Sequence, residues 1–142
     1  MAENEGIQFE DNRAKVTEAM AEKAIAFLFE AVAELQSQTA RNSRVDTGQT
    51  KGSWDTHVDE ATLEAMVGSA LENAIWEEFG TGEYALNGDG RKGGWAYTDR
   101  NGETHFTHGK KPNRALWNAF QTLKPKLIKR AEALMKELNG ND

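Results

Sequence analysis

The chain has 142 residues, 38% of them hydrophobic, with a formal net charge of -6 and no cysteine. The length suits one domain, 1–142, and the missing cysteine excludes disulfides, thiol nucleophiles and cysteine-ligated metal sites. The acidic balance disfavours wrapping of nucleic acid. The longest apolar run is too short for a membrane span, and the acidic start is unlike a signal peptide. We therefore expect a soluble protein made in a cytoplasm.

An amphipathic helix is predicted from Glu10 to about Gln38. Its apolar residues recur at steps of three and four, and acidic residues occupy the other side. Residues 1–9 before it are expected to form a flexible N-terminus. The polar stretch after the helix is predicted to be a loop, because it contains Asp46-Thr47-Gly48.

Two β-hairpins are predicted downstream of this loop. The first pairs Ser53–Val58 with Leu63–Val67, because both runs alternate in polarity and a short polar link joins them. This alternation places Trp54, Thr56 and Val58 on one face. The second hairpin pairs 95–98 with 104–107 across a turn that contains Asn-Gly.

A short helix and a glycine-rich loop separate the two hairpins. Residues 72–79 are rich in helix formers, and Ile75, Trp76 and Phe79 are spaced to share one face. Residues 80–94 hold six of the 13 glycines. Such a segment packs little and is costly to order, so it is predicted to be a mobile loop.

The C-terminal segment is predicted to be a basic helix that begins near Pro112. Pro125 is expected to kink or break it, because proline lacks an N–H and clashes with the preceding turn. Residues 139–142 form a tail. The order of elements predicts an α+β fold, in which a long N-terminal helix and a C-terminal helix pack on a small antiparallel sheet of two hairpins.

The Asp46-Thr47-Gly48 stretch matches the signature of aspartic protease active sites, where two such loops share a proton between two carboxylates. A chain with one copy would have to act as a dimer, and the polar residues that follow the stretch fit that family poorly. The favoured interpretation is a structural turn, in which Asp46 caps the turn and Gly48 takes a positive φ.

Other candidate sites are weaker. His105 and His108 are three residues apart, which places them on opposite faces of a strand and prevents them from sharing a metal ion. Gly80-Thr81-Gly82 lacks the strand before it and the helix after it that a phosphate-binding loop requires. The carboxylates in this part of the chain are predicted to be a solvated acidic face, comprising Glu77, Glu78, Glu83 and Asp89. The sequence therefore predicts no catalytic residue, no metal ion and no cofactor.

The four tryptophans are spread one per element. They are predicted to share in the core, since tryptophan buries a large area. Trp95 is the exception: beside the glycine-rich loop, it is expected to be exposed and to fit a docking surface.

Three stretches together resemble a known family. They are Val45-Asp46-Thr47-Gly48 with Gly52-Ser53, then 74–82 with its Glu-Phe-Gly-Thr-Gly, and 95–120 with its His-Gly-Lys-Lys-Pro. They are similar to head–tail joining, or tail-completion, proteins of long-tailed bacteriophages, the gene-ten-product-like tail components. The chain departs from that family at three places. The family usually has proline where this chain has Arg44, and tyrosine near the position of Asn73. It usually has a Phe-Leu pair where this chain has Asn113-Arg114.

The resemblance implies a non-enzymatic structural protein of the virion. Copies would form a ring at the neck, taken as a hexamer from the symmetry of long tails, which joins the head connector to the tail tube. DNA would pass through the lumen without specific binding, and no membrane would be involved. The partners would be further copies, the tail tube protein and the head-closure or connector protein, with assembly in the host cytoplasm. Residues expected at interfaces are Trp76, Glu78, Phe79, Gly80, Thr81, Gly82, Trp95, Tyr97, Phe106 and Lys110.

Alternatives remain open at this stage. One is a dimeric aspartic-type hydrolase that uses Asp46, and another is a generic adaptor that binds a protein through 80–94. A head-to-tail ring needs two different complementary patches on each copy. The acidic N-terminal helix and the basic C-terminal helix either supply these patches or pair within one subunit.

Overall fold

The computed structural model describes residues 13–45 and 48–138. Its elements, in chain order, are α1 (Arg13–Asn42), β1 (Trp54–Asp59), β2 (Glu64–Ser69), α2 (Glu72–Phe79), β3 (Trp95–Thr98), β4 (Thr104–Thr107) and α3 (Ala115–Leu138). This order confirms the predicted α+β class. The expected flexible N-terminus 1–9, the tail 139–142 and two residues of the predicted turn, Asp46 and Thr47, lie outside the described residues.

Helices α1 and α3 pack side by side in opposite directions. The Asn42 Nδ2 group at the end of α1 donates to the Ala115 carbonyl oxygen at the start of α3, at 3.2 Å. At the other end of the pair, Lys23 Nζ lies 2.6 Å from Glu137 Oε1. Helix α3 continues through Pro125, because packing on α1 holds it on both sides of the proline. Of the kink or break expected at Pro125, the break is absent, and the kink stays a prediction.

Opposite charges line the contact between these two helices. Arg130 Nη2 of α3 lies 2.6 Å from Glu34 Oε2 of α1, and Lys126 Nζ lies 4.0 Å from the same oxygen. The acidic and basic helices thus pair within one subunit, which is the second of the two alternatives that the sequence left open.

The first hairpin packs against α1. Its strands pair antiparallel, with Trp54 opposite Ser69 and Val58 opposite Ala65. Trp54, Thr56 and Val58 lie on the less exposed face, as the alternation predicts, whereas Leu63 falls in the turn with a φ of 56°. The second hairpin, β3 with β4, forms a separate two-stranded sheet.

The core of the chain is small. It lies where α1, the first hairpin, α2 and the start of α3 meet, and its buried apolar members are Ala31, Val32, Trp54, Ala74, Ala115 and Ala119. Trp54 is fixed there because its Nε1–H donates to Ser43 Oγ at 2.9 Å. Among the described residues, no leucine, isoleucine, methionine or phenylalanine is buried. A domain of this size normally buries many of them.

None of the described helices is both long enough and apolar enough to cross a membrane.

Candidate functional site

Two of the family-like stretches lie side by side. The Thr81 N–H donates to the Lys110 carbonyl oxygen, and the Lys110 N–H donates to Thr81 Oγ1, both at 2.9 Å. The Glu83 N–H donates to the His108 carbonyl oxygen, also at 2.9 Å. We call these paired segments, 80–83 and 108–112, the loop bridge. The structure thus brings together the Gly-Thr-Gly and His-Gly-Lys-Lys-Pro residues, which lie far apart in the sequence.

The glycines of the loop bridge are required by close backbone approach. Gly82 has a φ of 61°, and a Cβ atom there would overlap the carbonyl oxygen of His108. A Cβ atom on Gly109, whose φ is 122°, would overlap the carbonyl oxygen of Thr81. The prediction that 80–94 packs little is therefore wrong for its first residues. Its mobility stays a prediction.

Glu77 is a buried carboxylate held between two cations. It forms ion pairs with Lys110 Nζ and with Arg44 Nε, the latter at 3.2 Å. Arg44 also donates from Nη2 to the Lys111 carbonyl oxygen at 2.7 Å. This arrangement joins three distant segments of the chain, because Arg44 follows α1, Glu77 lies on α2 and Lys110 lies in the loop bridge.

Glu78 is also buried, and it caps α3 from outside that helix. Its two carboxylate oxygens accept the backbone N–H groups of Leu116 at 3.0 Å and Trp117 at 2.9 Å. The first N–H groups of a helix have no partner within the helix, and a negative charge there is favourable. The predicted solvated acidic face is therefore wrong for Glu77 and Glu78, whereas Glu83 and Asp89 are exposed.

Helix α2 is inverted relative to the usual amphipathic arrangement. Ala74, Glu77 and Glu78 form its buried face, while Ile75 and Trp76 are 58% and 47% exposed. The sequence places Ile75, Trp76 and Phe79 on one face, and that face is exposed rather than buried in the core. Sequence reasoning missed the alternative, although Ala74, Glu77 and Glu78 also share a face by the i, i+3, i+4 rule.

Residues at which the chain departs from the family pattern make their own contacts. Asn113 Nδ2 donates to the Asn42 carbonyl oxygen at 2.9 Å, and Asn73 Nδ2 donates to Thr50 Oγ1 at 3.0 Å. Arg114, at a φ of 57°, places its guanidinium over Phe79 and Trp117. These side chains stabilise contacts among α1, α2, α3 and the segment before β1, so the departures are structurally accommodated.

A polar cavity of about 450 Å³ adjoins the loop that holds the Asp-Thr-Gly stretch. Val45 and Gly48, which flank residues 46 and 47, line it together with Glu77 and Lys110. Gly48 has a φ of 78°, as the structural turn predicts, and its carbonyl oxygen accepts the Gly52 N–H at 3.0 Å. The role of Asp46 itself stays a prediction.

An apolar groove lies between α1, β2, α2 and the start of α3. Its volume is about 540 Å³, and its lining includes Leu35, Val67, Phe79, Trp117 and Phe120. Phe79, Trp117 and Phe120 are 40%, 50% and 42% exposed. We refer to this feature as the apolar groove.

The tryptophans that are exposed differ from the one that the sequence predicts, Trp95. Trp76 and Trp117 are about half exposed, whereas Trp95 is more covered. The guanidinium of Arg91 lies 5.6 Å from the centre of the Trp95 ring, which shields part of the ring. The expectation that Trp95 is the exposed tryptophan is therefore wrong.

The second hairpin is mostly exposed. Phe106 and Tyr97 are 64% and 46% exposed, and Tyr97 stacks on His105 at 5.4 Å between ring centres. His105 Nε2 lies 2.7 Å from Asp99 Oδ2, which lowers the pKa of Asp99 below its ordinary value of 3.8. This hydrogen bond is the largest cause of the shift, and the backbone N–H of Glu103 adds to it.

The two histidines lie in different contacts. His108 Nδ1 lies 3.2 Å from Glu83 Oε2 in the loop bridge, while His105 groups with Asp99 and Glu103 at the hairpin tip. Sequence reasoning missed that group of carboxylates and histidine, which is largely exposed and internally hydrogen-bonded.

Comparisons with known proteins place the chain in no family: no family model, no curated protein and no solved structure matches it. The fold and site define an α+β protein with a central loop bridge and an uncovered apolar groove. The likeness to phage proteins rests on the residues of the sequence alone.

Proposed function

We propose that the protein is a non-enzymatic structural subunit that assembles into a ring at the head–tail junction of a long-tailed bacteriophage. The observation that carries the proposal is the uncovered face of α2, where Ile75, Trp76 and Phe79 are all exposed. Folding a short helix with its glutamates inward and its large apolar side chains outward is unfavourable in an isolated subunit. It becomes favourable when a neighbouring copy covers the apolar face.

The rest of the apolar surface supports assembly in the same way. Large apolar side chains are exposed on α3, on the second hairpin and around the apolar groove, and the buried apolar residues are mainly alanines. Obligate subunit interfaces resemble a domain core that has been divided between chains. A subunit of an obligate assembly, taken without its neighbours, therefore has a small internal core and a wide apolar surface.

The choice of a phage junction rests on the family-like residues. The loop bridge joins two of the three stretches, and its glycines cannot be replaced without backbone displacement. Glu77 connects the same stretches to Arg44, which follows α1, and Glu78 connects them to α3. The resemblance therefore involves residues that act as one structural unit, which supports common descent more strongly than scattered identities would.

The net charge of -6 fits passage of DNA through the ring. A surface of like charge repels the phosphate backbone, so a duplex moves through such a lumen without binding to it. We propose the same partners that the resemblance implies, namely further copies, a tail tube protein and a head-closure or connector protein.

Native mass spectrometry over a range of protein concentrations, with negative-stain imaging of the same samples, tests this function. We expect closed rings, or monomers that form rings when concentrated, with a central opening. A discrete dimer with no larger species would contradict the proposal and favour the aspartic hydrolase through Asp46. A chain that stays monomeric at every concentration would contradict it and favour the adaptor.

A further inference from the structure

The apolar groove and the second hairpin both present exposed aromatic side chains. We propose that the second hairpin of one copy docks into the apolar groove of the next copy, with the Phe106 ring as its anchor. This inference rests on the proposed ring. A head-to-tail interface requires two different patches on each copy. The charges of α1 and α3 pair with each other within one copy, so other surfaces must supply these patches.

The groove has the size and lining to receive aromatic side chains. Its volume of about 540 Å³ lies within the roughly 300–1,000 Å³ of sites that enclose a bound molecule. Phe79, Trp117 and Phe120 present exposed ring surface to it. Aromatic side chains seated in apolar pockets contribute most of the binding energy at many interfaces.

The hairpin has the properties of the inserted partner. Its two strands are four residues long, and their main contacts are with each other. An isolated two-stranded hairpin is at best marginally stable in water. Phe106 lies opposite the small Ala96 in the register. Its ring meets His108 edge-on at 5.3 Å between centres and lies close to Gly94, but Phe106 is still 64% exposed, so most of it lacks cover. A neighbouring apolar surface would supply that cover.

Charge sets the orientation of the docked hairpin. The hairpin tip carries Asp99 and Glu103 beside one arginine, Arg100, so its acidic groups outnumber its basic one, and Glu103 keeps 74% of its side chain exposed. The wall of the groove carries cations over its aromatic rings: Arg114 lies 5.1 Å from the Trp117 ring centre, and Lys124 lies 5.8 Å from that of Phe120. Acidic groups on one surface and basic groups on the other steer association and fix its direction.

Two single substitutions separate the surfaces. Phe120→Glu places a charge in the groove, and Phe106→Glu places one on the hairpin. Met66→Glu is the matched control, because Met66 is 62% exposed and lies on β2 between groove-lining neighbours, on the opposite face of the strand. Far-UV circular dichroism and the melting temperature establish that each variant folds. Should Phe106→Glu lower that temperature, Phe106→Ala replaces it.

We expect the first two variants to need at least about thirtyfold more protein to assemble, as for the loss of a binding hot spot, while Met66→Glu assembles like the wild type. Mixing the two variants provides a sharper test. Each retains one intact surface, so an equimolar mixture should form a 1:1 dimer and stop there. Native mass spectrometry distinguishes the variants by mass when one is isotopically labelled.

The outcomes that overturn the inference differ from those that overturn the ring. If the wild type forms rings and both variants form them equally well, this interface alone is overturned. The same holds if the wild type forms rings but the mixture of folded variants stays monomeric. A wild-type chain that never assembles overturns the ring and this inference together. If both variants form rings and Phe120→Glu abolishes binding of the apolar dye 8-anilinonaphthalene-1-sulfonate, the groove is a small-molecule site instead.

Discussion

The carboxylate of Glu78 on α2 accepts the backbone N–H of Trp117 at 2.9 Å, 39 residues further along the chain. Its other oxygen accepts the Leu116 N–H, so one side chain satisfies two of the free N–H groups at the start of α3. Because α3 provides a wall of the apolar groove, this contact sets where that wall stands relative to Phe79.

Removing this cap should destabilise the subunit. We expect Glu78→Ala to lower the free energy of unfolding by about 2 kcal/mol, since a helix cap contributes roughly 0.5–2 kcal/mol and a buried site lies at the upper end. Glu78→Gln keeps an acceptor oxygen and should cost less. Glu132→Ala, an exposed glutamate later in α3, is the control and should stay within about 0.5 kcal/mol. Urea unfolding measures all three, and equal losses for Glu78→Ala and Glu132→Ala would contradict the capping role.

The loop bridge gives a second prediction through its glycines. Gly82→Ala places a Cβ atom against the His108 carbonyl oxygen and also forces a positive φ on alanine. Gly88 has a similar φ of 72°, but no atom of the described residues lies within 4 Å of the place that its Cβ atom would take. Gly88→Ala therefore measures the cost of the backbone conformation alone. We expect about 1 kcal/mol for Gly88→Ala and at least about 2 kcal/mol more for Gly82→Ala. Thermal unfolding of both variants checks the difference, and similar losses would mean that the close approach is unimportant.

The ion pairs of Glu77 give a third prediction. Glu77→Gln leaves Arg44 and Lys110 facing each other across a buried amide. Loss of one partner from a fully buried ion pair costs about 3–5 kcal/mol, but both cations are 45% exposed, so we expect about 2 kcal/mol. Glu137→Gln is the matched control, because Glu137 pairs with Lys23 and is 65% exposed. It should cost at most about 1 kcal/mol. Urea unfolding measures both losses, and equal losses for Glu77→Gln and Glu137→Gln would contradict the structural role of Glu77.

Much of the local structure follows from the sequence. The predicted bounds of α2 and of the second hairpin match, because helix formers, Asn-Gly and alternation are local signals. The prediction ends α1 at Gln38, but the helix continues to Asn42. Beyond Gln38, Thr39 Oγ1 donates to the Leu35 carbonyl oxygen and Ser43 Oγ to that of Thr39. These contacts satisfy the hydroxyl groups within or beside the helix, in a segment that composition assigns to a loop.

The site depends on contacts that no local pattern contains. The burial of Glu77 and Glu78 requires Arg44, Lys110 and the free end of α3, each distant in sequence. Helix α3 begins at Ala115, later than the expected start near Pro112, because Arg114 adopts a positive φ. Periodicity correctly separates the two faces of α2, but the direction in which each face points is set by these partners. The exposed apolar face therefore became visible only in the folded subunit.

A fourth prediction separates the ring from the aspartic hydrolase. Asp46→Asn removes the carboxylate that such an enzyme would need, and a structural turn tolerates the change at a cost of about 0.5–2 kcal/mol. We expect the wild-type protein to cleave no unfolded protein substrate at acidic pH, and Asp46→Asn to assemble like the wild type. The assays are peptide release from acid-unfolded casein and native mass spectrometry. Cleavage that Asp46→Asn abolishes would contradict the structural role.

The two hairpin tips should respond to acid. Asp99 Oδ1 accepts the N–H groups of Asn101 and Glu103 at 2.9 Å, and Asp59 Oδ1 accepts those of Ala61 and Thr62. The backbone hydrogen bonds lower the pKa of Asp59 from its ordinary value of 3.8. The pKa of Asp99 is lowered from the same value, first by the hydrogen bond with His105 and then by the bonds from the backbone N–H groups.

Because the pKa of each carboxyl is lower in the folded state, its hydrogen bonds stabilise the tip above pH 3.8 and are lost as the pH falls through the lowered value. We expect amide hydrogen exchange at both tips to accelerate below pH 3.8, relative to the intrinsic rates at each pH. Asp99→Asn should remove this pH dependence at the second tip and leave it at the first, which serves as the internal control. A response that persists at the second tip in Asp99→Asn would show that another group controls it.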